Sequence, residues 1–240
     1  MEVFMKKAIK AAFPVTIPVL LGYVSVGIAF GLLAEKSGYN FLWAVLMSII
    51  IYAGSMQFIA VNLLVSGTGL VEAALMTLFV NIRHIFYGLS FIDRFKSMGK
   101  KKTYMIYSLS DETYSLLCSS KAPEGVDENL FLFFISFLNQ LYWVTGTLIG
   151  SIAGSLIKFN TKGIDFAMTA LFVVIFIEQW FSYKTHIPVL IGLVATVLSL
   201  VVFGAGNLIL PSMLIITAVL MLFQKQIEAK AGKGSKEVRQ

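Results

Sequence analysis

The chain has 240 residues, of which 58% are hydrophobic and only 13% charged. Soluble domains carry roughly 25% charged residues, so this composition excludes an ordinary water-soluble fold. The net charge of +6 does not point to nucleic acid. Its lysines and arginines stand at the ends of apolar runs, at Lys6, Lys7 and Lys10, from Arg94 to Lys102, and from Lys225 to Arg239, which is the pattern of membrane anchoring. A single cysteine, Cys118, excludes an internal disulfide and a multi-cysteine metal site.

About 20 helical residues cross the ~30 Å hydrocarbon core, and several uncharged runs here reach that length. They are continuous rather than alternating, which predicts an all-α transmembrane bundle and not a barrel. The N-terminal run is too long for a signal peptide and reads as a first span from Phe13 to Ala34, with Pro14 and Pro18 inside it. After a polar turn at 35–40, a second apolar stretch runs from Phe41 to Val65, interrupted at Gly54-Ser55-Met56-Gln57-Phe58. A tight loop at 66–69 leads to a third span, Leu70 to Ile92, and then to the basic loop. Residues 103–120 are half apolar and admit three readings: a short span, a re-entrant element or an interfacial helix. Leu130–Ile157, Ile164–Tyr183, Ile187–Phe203 and Leu208–Phe223 complete the apolar segments. About seven crossings are expected (six to eight), forming one membrane domain over 1–224, with a polar basic tail over 225–240. A gapped similarity between Gly31–Phe58 and Gly154–Phe181, with few identities, fits an internal repeat and chance likeness between apolar helices equally well.

Charge placement raises a conflict. The N-terminal lysines and the basic loop at 94–102 both ask for the cytoplasmic side, yet three simple crossings separate them. Either the N-terminus lies outside or one early segment turns back, and the break at Gly54-Ser55 is the place for a turn.

Polar residues inside apolar segments are the candidates for chemistry. Ser55 and Gln57 flank a helix break, where freed backbone groups can meet a polar ligand. Asn81 and His84 share one helix face, and Arg83 and Tyr87 share another. A mid-membrane arginine costs at least ~2.5 kcal/mol on insertion scales and requires a partner. Asp111, Glu112 and Glu178 are the candidate counter-ions, and a structural ion pair is as good a reading as a substrate site. Arg83 suits a carboxylate, and His84 suits a coupling proton. Asp111 and Glu112 point about 100° apart on a helix, so they do not form an acid/base pair. Asn139 and Gln140 fit interhelical hydrogen bonds or substrate contacts equally well. Gly27 and Gly31, and Gly146, Gly150 and Gly154, are spaced for close helix packing. The sequence lacks a His-Glu-x-x-His motif, a Walker A loop and a cysteine cluster, so nothing in it marks an enzyme.

Three motifs in order carry a resemblance: Gly-Ser-Met-Gln-Phe at 54–58, Asn81-x-Arg83-His84-x-x-Tyr87-Gly88-Leu89-Ser90, and Asp111-Glu112-Thr113-Tyr114. Together the motifs resemble the AzlC family of branched-chain amino acid permeases over nearly the whole chain. The resemblance implies a multi-pass protein of the bacterial cytoplasmic membrane. It implies export of valine, leucine, isoleucine and, in some members, methionine. It further implies gradient-driven transport without a cofactor, alongside a small AzlD-type membrane subunit. The expected substrate contacts are Ser55, Gln57, Asn81, Arg83, Asn139 and Gln140, with the apolar tail against Met56 and Phe58. The proton-coupling candidates are His84, Asp111, Glu112 and Glu178. A passive small-solute channel and a non-transporting scaffold subunit are the alternative readings.

Overall fold

A computed structural model describes residues 2–156, 173, 176, 177, 180, 186–204 and 211–223. The segment expected at 164–183, Glu178, the second copy of the repeat and the C-terminal tail lie wholly or largely outside them. All regular structure among the described residues is helical, as the continuous apolar runs predict. The chain divides into two compact units at Met168/Thr169.

The first unit holds α1 (Glu2–Lys36), α2 (Phe41–Ile50), α3 (Gly54–Val65), α4 (Leu70–Phe95), α5 (Lys101–Tyr107), α6 (Asp111–Ser119) and α7 (Glu128–Leu156). Three of these are long and apolar enough to cross a membrane: α1, α4 with the short 3-10 turn that follows it, and α7. Helix α1 begins earlier than the apolar run, so Lys6, Lys7 and Lys10 extend it beyond the hydrophobic part. Its two internal prolines remove hydrogen-bond donors. Locally, the Thr16 hydroxyl donates to the Phe13 carbonyl, at 2.9 Å.

Helices α1 and α7 pack in parallel through their glycines. Thr16 meets Tyr142, Gly27 meets Gly146, Gly31 meets Thr147 and Ser151, and Glu35 meets Ser151 and Gly154, so contacts advance together along both helices. The backbones nearly touch. A Cβ added at Gly31 would lie 2.2 Å from the Thr147 carbonyl oxygen, and one at Gly150 would lie 2.1 Å from that of Ile28. Small residues permit this approach, and dispersion with Cα–H···O contacts then stabilises it in lipid.

The remaining directions follow from contacts. Ala8 and Ala12 near the start of α1 share one apolar cluster with Phe91, Phe95, Met98, Leu117 and Phe131. Arg94 ties the same end together, donating to the Leu117 carbonyl at 2.7 Å and pairing with Glu128 at 2.9 Å. Helix α4 therefore finishes where α1 starts, and it begins at the opposite end. The pair α2–α3 leaves α1 at that opposite end and returns there to meet α4. It is a re-entrant hairpin, not a crossing. Its tip, at Ile51–Ala53, reaches inward to the level of Trp143 on α7. Tyr52 turns the tip with φ +41°, a left-handed value that strains a bulky residue.

Helices α5 and α6 form a second hairpin from the other end, with its tip at Ser108–Ser110. Of the three readings left open for 103–120, the re-entrant one is the observed one. The two tips meet: the Tyr107 hydroxyl donates to the Ile49 carbonyl, and the Tyr52 and Tyr107 rings lie 6.3 Å apart. Because α2–α3 turns back, Lys6, Lys7 and Lys10 and the basic residues 94–102 fall at the same end. The conflict in charge placement disappears, and the positive-inside rule puts that end in the cytoplasm.

The second unit contains the apolar helices α8 (Ile187–Phe203) and α9 (Pro211–Phe223). Pro188 sits in the first turn of α8, where a missing N–H costs nothing. Before it, a His186 ring nitrogen lies 3.2 Å from the Trp180 carbonyl oxygen, with the two rings 3.9 Å apart.

Candidate functional site

Arg83 sits on α4 beside both hairpin tips and binds one residue from each. Its Nη2 donates to Ser55 Oγ in the first turn of α3, at 2.8 Å. Its Nη1 pairs with Asp111 Oδ2 in the first turn of α6, at 2.9 Å. Tyr87, one turn along α4, donates to Asp111 Oδ1 at 2.6 Å. Arg83 and Tyr87 thus share the face that their spacing predicts, and of the two candidate counter-ions that are described, Asp111 is the partner.

Local chemistry explains both helix starts. Ser110 caps α6, its Oγ accepting from the Thr113 amide at 3.1 Å, and Asp111 and Glu112 lie near the positive end of the helix. Helix α3 has no side-chain cap at Ala53. Its first amides, at Gly54, Ser55 and Met56, have no partner within the helix, and such an end favours an anion.

On the other face of α4, Asn81 and His84 line a cavity of about 190 Å³. Its other walls are Ile51, Tyr52 and Ala53 of the first tip and Ile106, Tyr107 and Leu109 of the second. One water needs only ~10–15 Å³, so this space admits a larger molecule. The wall residues stand close to the Arg83 cluster in sequence: Ala53 lies two residues before Ser55, Leu109 two before Asp111, and His84 directly after Arg83. Two lining residues carry a buried polar atom without a hydrogen-bond partner, Asn81 Oδ1, an acceptor, and the Tyr52 hydroxyl, and Arg83 Nε, a donor outside the lining, is a third. A His84 ring nitrogen lies 3.2 Å from the Asn81 carbonyl oxygen, and the ring meets Tyr87 edge-on at 5.7 Å.

The other expected substrate contacts are placed differently. Gln57 is fully buried, giving a hydrogen to Ser48 at 3.0 Å and accepting one from the Trp143 indole at 2.9 Å. Gln140 accepts from Tyr104 at 2.7 Å and reaches Tyr107 and the Ile49 carbonyl at 3.4 and 3.5 Å. Asn139 is buried and donates to Thr113 at 3.0 Å. These three fasten the hairpins to α7. Met56 and Phe58 are buried outside the cavity lining, and Phe58 packs edge-on against Phe30 at 5.5 Å. Glu112 accepts from Tyr23 of α1 at 2.7 Å, and Tyr23 also lies 2.5 Å from Ser110.

Sequence reasoning passed over Tyr23, Tyr52, Tyr107, Ser48 and Trp143. One signal was present. Tyrosine and tryptophan in apolar runs bring polar atoms that need partners when buried, and Tyr23, Tyr107 and Trp143 each meet a polar neighbour far along the chain.

Comparison with known proteins gives a consistent pattern. The family described as AzlC protein matches residues 18–157. The branched-chain amino acid transport protein AzlC of Bacillus subtilis is 46% identical over 221 residues, covering 92% of this chain and 87% of that protein. An uncharacterized membrane protein of Helicobacter pylori strain 26695 is 42% identical, covering 92% and 97%. The inner membrane protein YgaZ of Escherichia coli is 30% identical, covering 87% and 88%. No solved structure matches the chain.

Proposed function

This chain belongs to the AzlC family of multi-pass membrane transport proteins, and from that premise we propose that it exports branched-chain amino acids from the bacterial cytoplasm. The observation that supports this substrate class is the set of unmet polar groups at and beside a cavity that has both polar and apolar walls. A free amino acid is a zwitterion with a side chain. Its carboxylate suits Arg83, whose Nε is unpaired, and the uncapped start of α3. Its ammonium suits the Asp111 carboxylate that pairs with Arg83, with the unpaired Asn81 Oδ1 as a further acceptor. Its branched apolar tail suits walls made by Ile51, Ala53, Ile106 and Leu109. Ser55 holds the guanidinium in place. His84, Asp111 and Glu112 are the described candidates for carrying the coupling ion, with Glu178 proposed from the sequence alone. Asn139, Gln140 and Gln57 act by fixing the hairpins. The small AzlD-type subunit is proposed on the family resemblance, and both subunits belong in the test.

Cells lacking the protein are loaded with leucine-, isoleucine- or valine-containing dipeptides, with and without this chain and its small subunit. Release of the free amino acids is followed before and after the proton gradient is collapsed. The expected result is faster, gradient-dependent release that falls at least tenfold in Arg83→Lys, because an ammonium cannot reproduce the planar fork. Unchanged release, with both subunits in the membrane, refutes the substrate assignment.

A further inference from the structure

Arg83 joins two elements that enter the protein from opposite ends. Ser55 belongs to the hairpin of α2 and α3, and Asp111 to the hairpin of α5 and α6. One guanidinium holds the two tips together. A carrier that alternates between sides has to move such tips apart, and so has to break this bridge.

We propose that the Ser55–Arg83–Asp111 bridge is a lock on the empty carrier, opened by a zwitterionic substrate or by a proton on Asp111, but not by both at once. The inference rests on the transport reading above and adds the rule that couples the fluxes. A zwitterion can insert into an ion pair without leaving a charge unmet: its carboxylate takes Arg83, and its ammonium takes Asp111. A proton opens the same bridge differently, by converting the Asp111 carboxylate to a neutral acid that no longer holds the guanidinium. Protonated Asp111 has lost the negative charge that pairs with an ammonium, so the two ligands compete for the same carboxylate. The carrier reorients with one or the other, and the empty, deprotonated form stays shut. That is obligatory exchange: substrate leaves in one half-cycle, and the proton returns in the other, released when Arg83 reclaims Asp111.

The surroundings single out Asp111. From α4 it faces Arg83, His84 and Tyr87, and on its own helix it neighbours Glu112. Glu112 is instead hydrogen-bonded to Tyr23 on α1, part of the parallel frame and not of the opposing hairpin. From α3, the hydroxyl of Ser55 is the group shared with Arg83.

The full chain, with the small subunit, is reconstituted in vesicles loaded with labelled leucine. Efflux into leucine-free buffer is compared with exchange against external leucine, at equal pH on both sides and then with the outer side acid by one unit. The lock requires slow net efflux and fast exchange at equal neutral pH. It also requires faster net efflux when both sides are made acid. With the gradient, and with the membrane potential held at zero by equal potassium and a potassium ionophore, one proton per leucine sustains a concentration ratio of ~10 at steady state. Asp111→Asn abolishes the response to the gradient and brings net efflux up towards its own exchange rate. Ser55→Ala raises net efflux in the same way. Asp111→Glu, which keeps the carboxylate, restores the gradient response. Net efflux as fast as exchange in the wild type overturns the lock, as does a tenfold gradient response surviving in Asp111→Asn. Wild type that exchanges none of leucine, isoleucine and valine refutes the transport reading instead. If Asp111→Asn does not assemble, the wild-type comparison of net efflux with exchange decides the matter alone.

Discussion

Replacing Gly31 with alanine tests the seam between α1 and α7. The new methyl carbon would lie 2.2 Å from the Thr147 carbonyl oxygen and 2.5 Å from the Ser151 nitrogen. Both are backbone atoms, so no rotamer relieves the overlap. Ordinary contact begins near 3.4 Å, and the helices have to part by about 1 Å. A gap of 0.5–1 Å already forfeits roughly a quarter to a half of each dispersion well, over the whole length where the two backbones touch. The expected loss is about 2–4 kcal/mol, in the range for overpacking and cavity formation. Gly22 on the same helix is the control, because nothing lies within 4 Å of a Cβ built there. Gly22→Ala should be neutral or stabilise by up to about 1 kcal/mol, since alanine favours a helix over glycine. Thermal unfolding of both variants in one detergent, monitored by circular dichroism, makes the comparison. A fall of several degrees for Gly31→Ala, with none for Gly22→Ala, is expected. Equal midpoints for the two variants would refute the backbone-contact seam.

Two further outcomes follow. With Cys118 replaced by alanine, a cysteine at Ser97 should react with an impermeant thiol reagent only from the cytoplasmic side. Cysteines at Ser37 and Ser66 should react only from outside, and reaction of those two from opposite sides would rule out the α2–α3 hairpin. Gln57→Leu removes the bonds to Ser48 and Trp143, leaving a buried indole donor unmet at a cost of about 1–3 kcal/mol. It should lower thermal stability while the KM for leucine changes less than twofold. A large rise in KM with unchanged stability would return Gln57 to the substrate site.

Different residues were legible in the sequence to different degrees, for physical reasons. The helical spacing that put Arg83 with Tyr87, and Asn81 with His84, is a local property and carried over directly. The glycine repeats on α1 and α7 announced a close contact, but spacing contains no information about whether two helices run parallel. The positive-inside conflict was the one long-range signal available, and it located the turn-back correctly at the break before α3. Gln57 shows the limit. A glutamine beside a helix break looks the same whether it meets a substrate or an indole 86 residues away. Asp111 and Glu112 show it again: adjacent carboxylates were told apart only by which neighbours, Arg83 or Tyr23, the fold delivered to each.

The parallel seam also bears on how the protein is made. Gly31 leaves the ribosome more than a hundred residues before Gly146 and Gly150. At ~5–20 residues per second, α1 waits of the order of 5–20 s in the membrane before its partner exists. During that wait its small-residue face is open to any helix that can approach as closely. The two hairpins are synthesised within the same interval, before the clasp that will hold them has closed. Insertion factors that shield α1 during translation, rather than the final energy of the bundle, would then set the yield of correctly assembled protein.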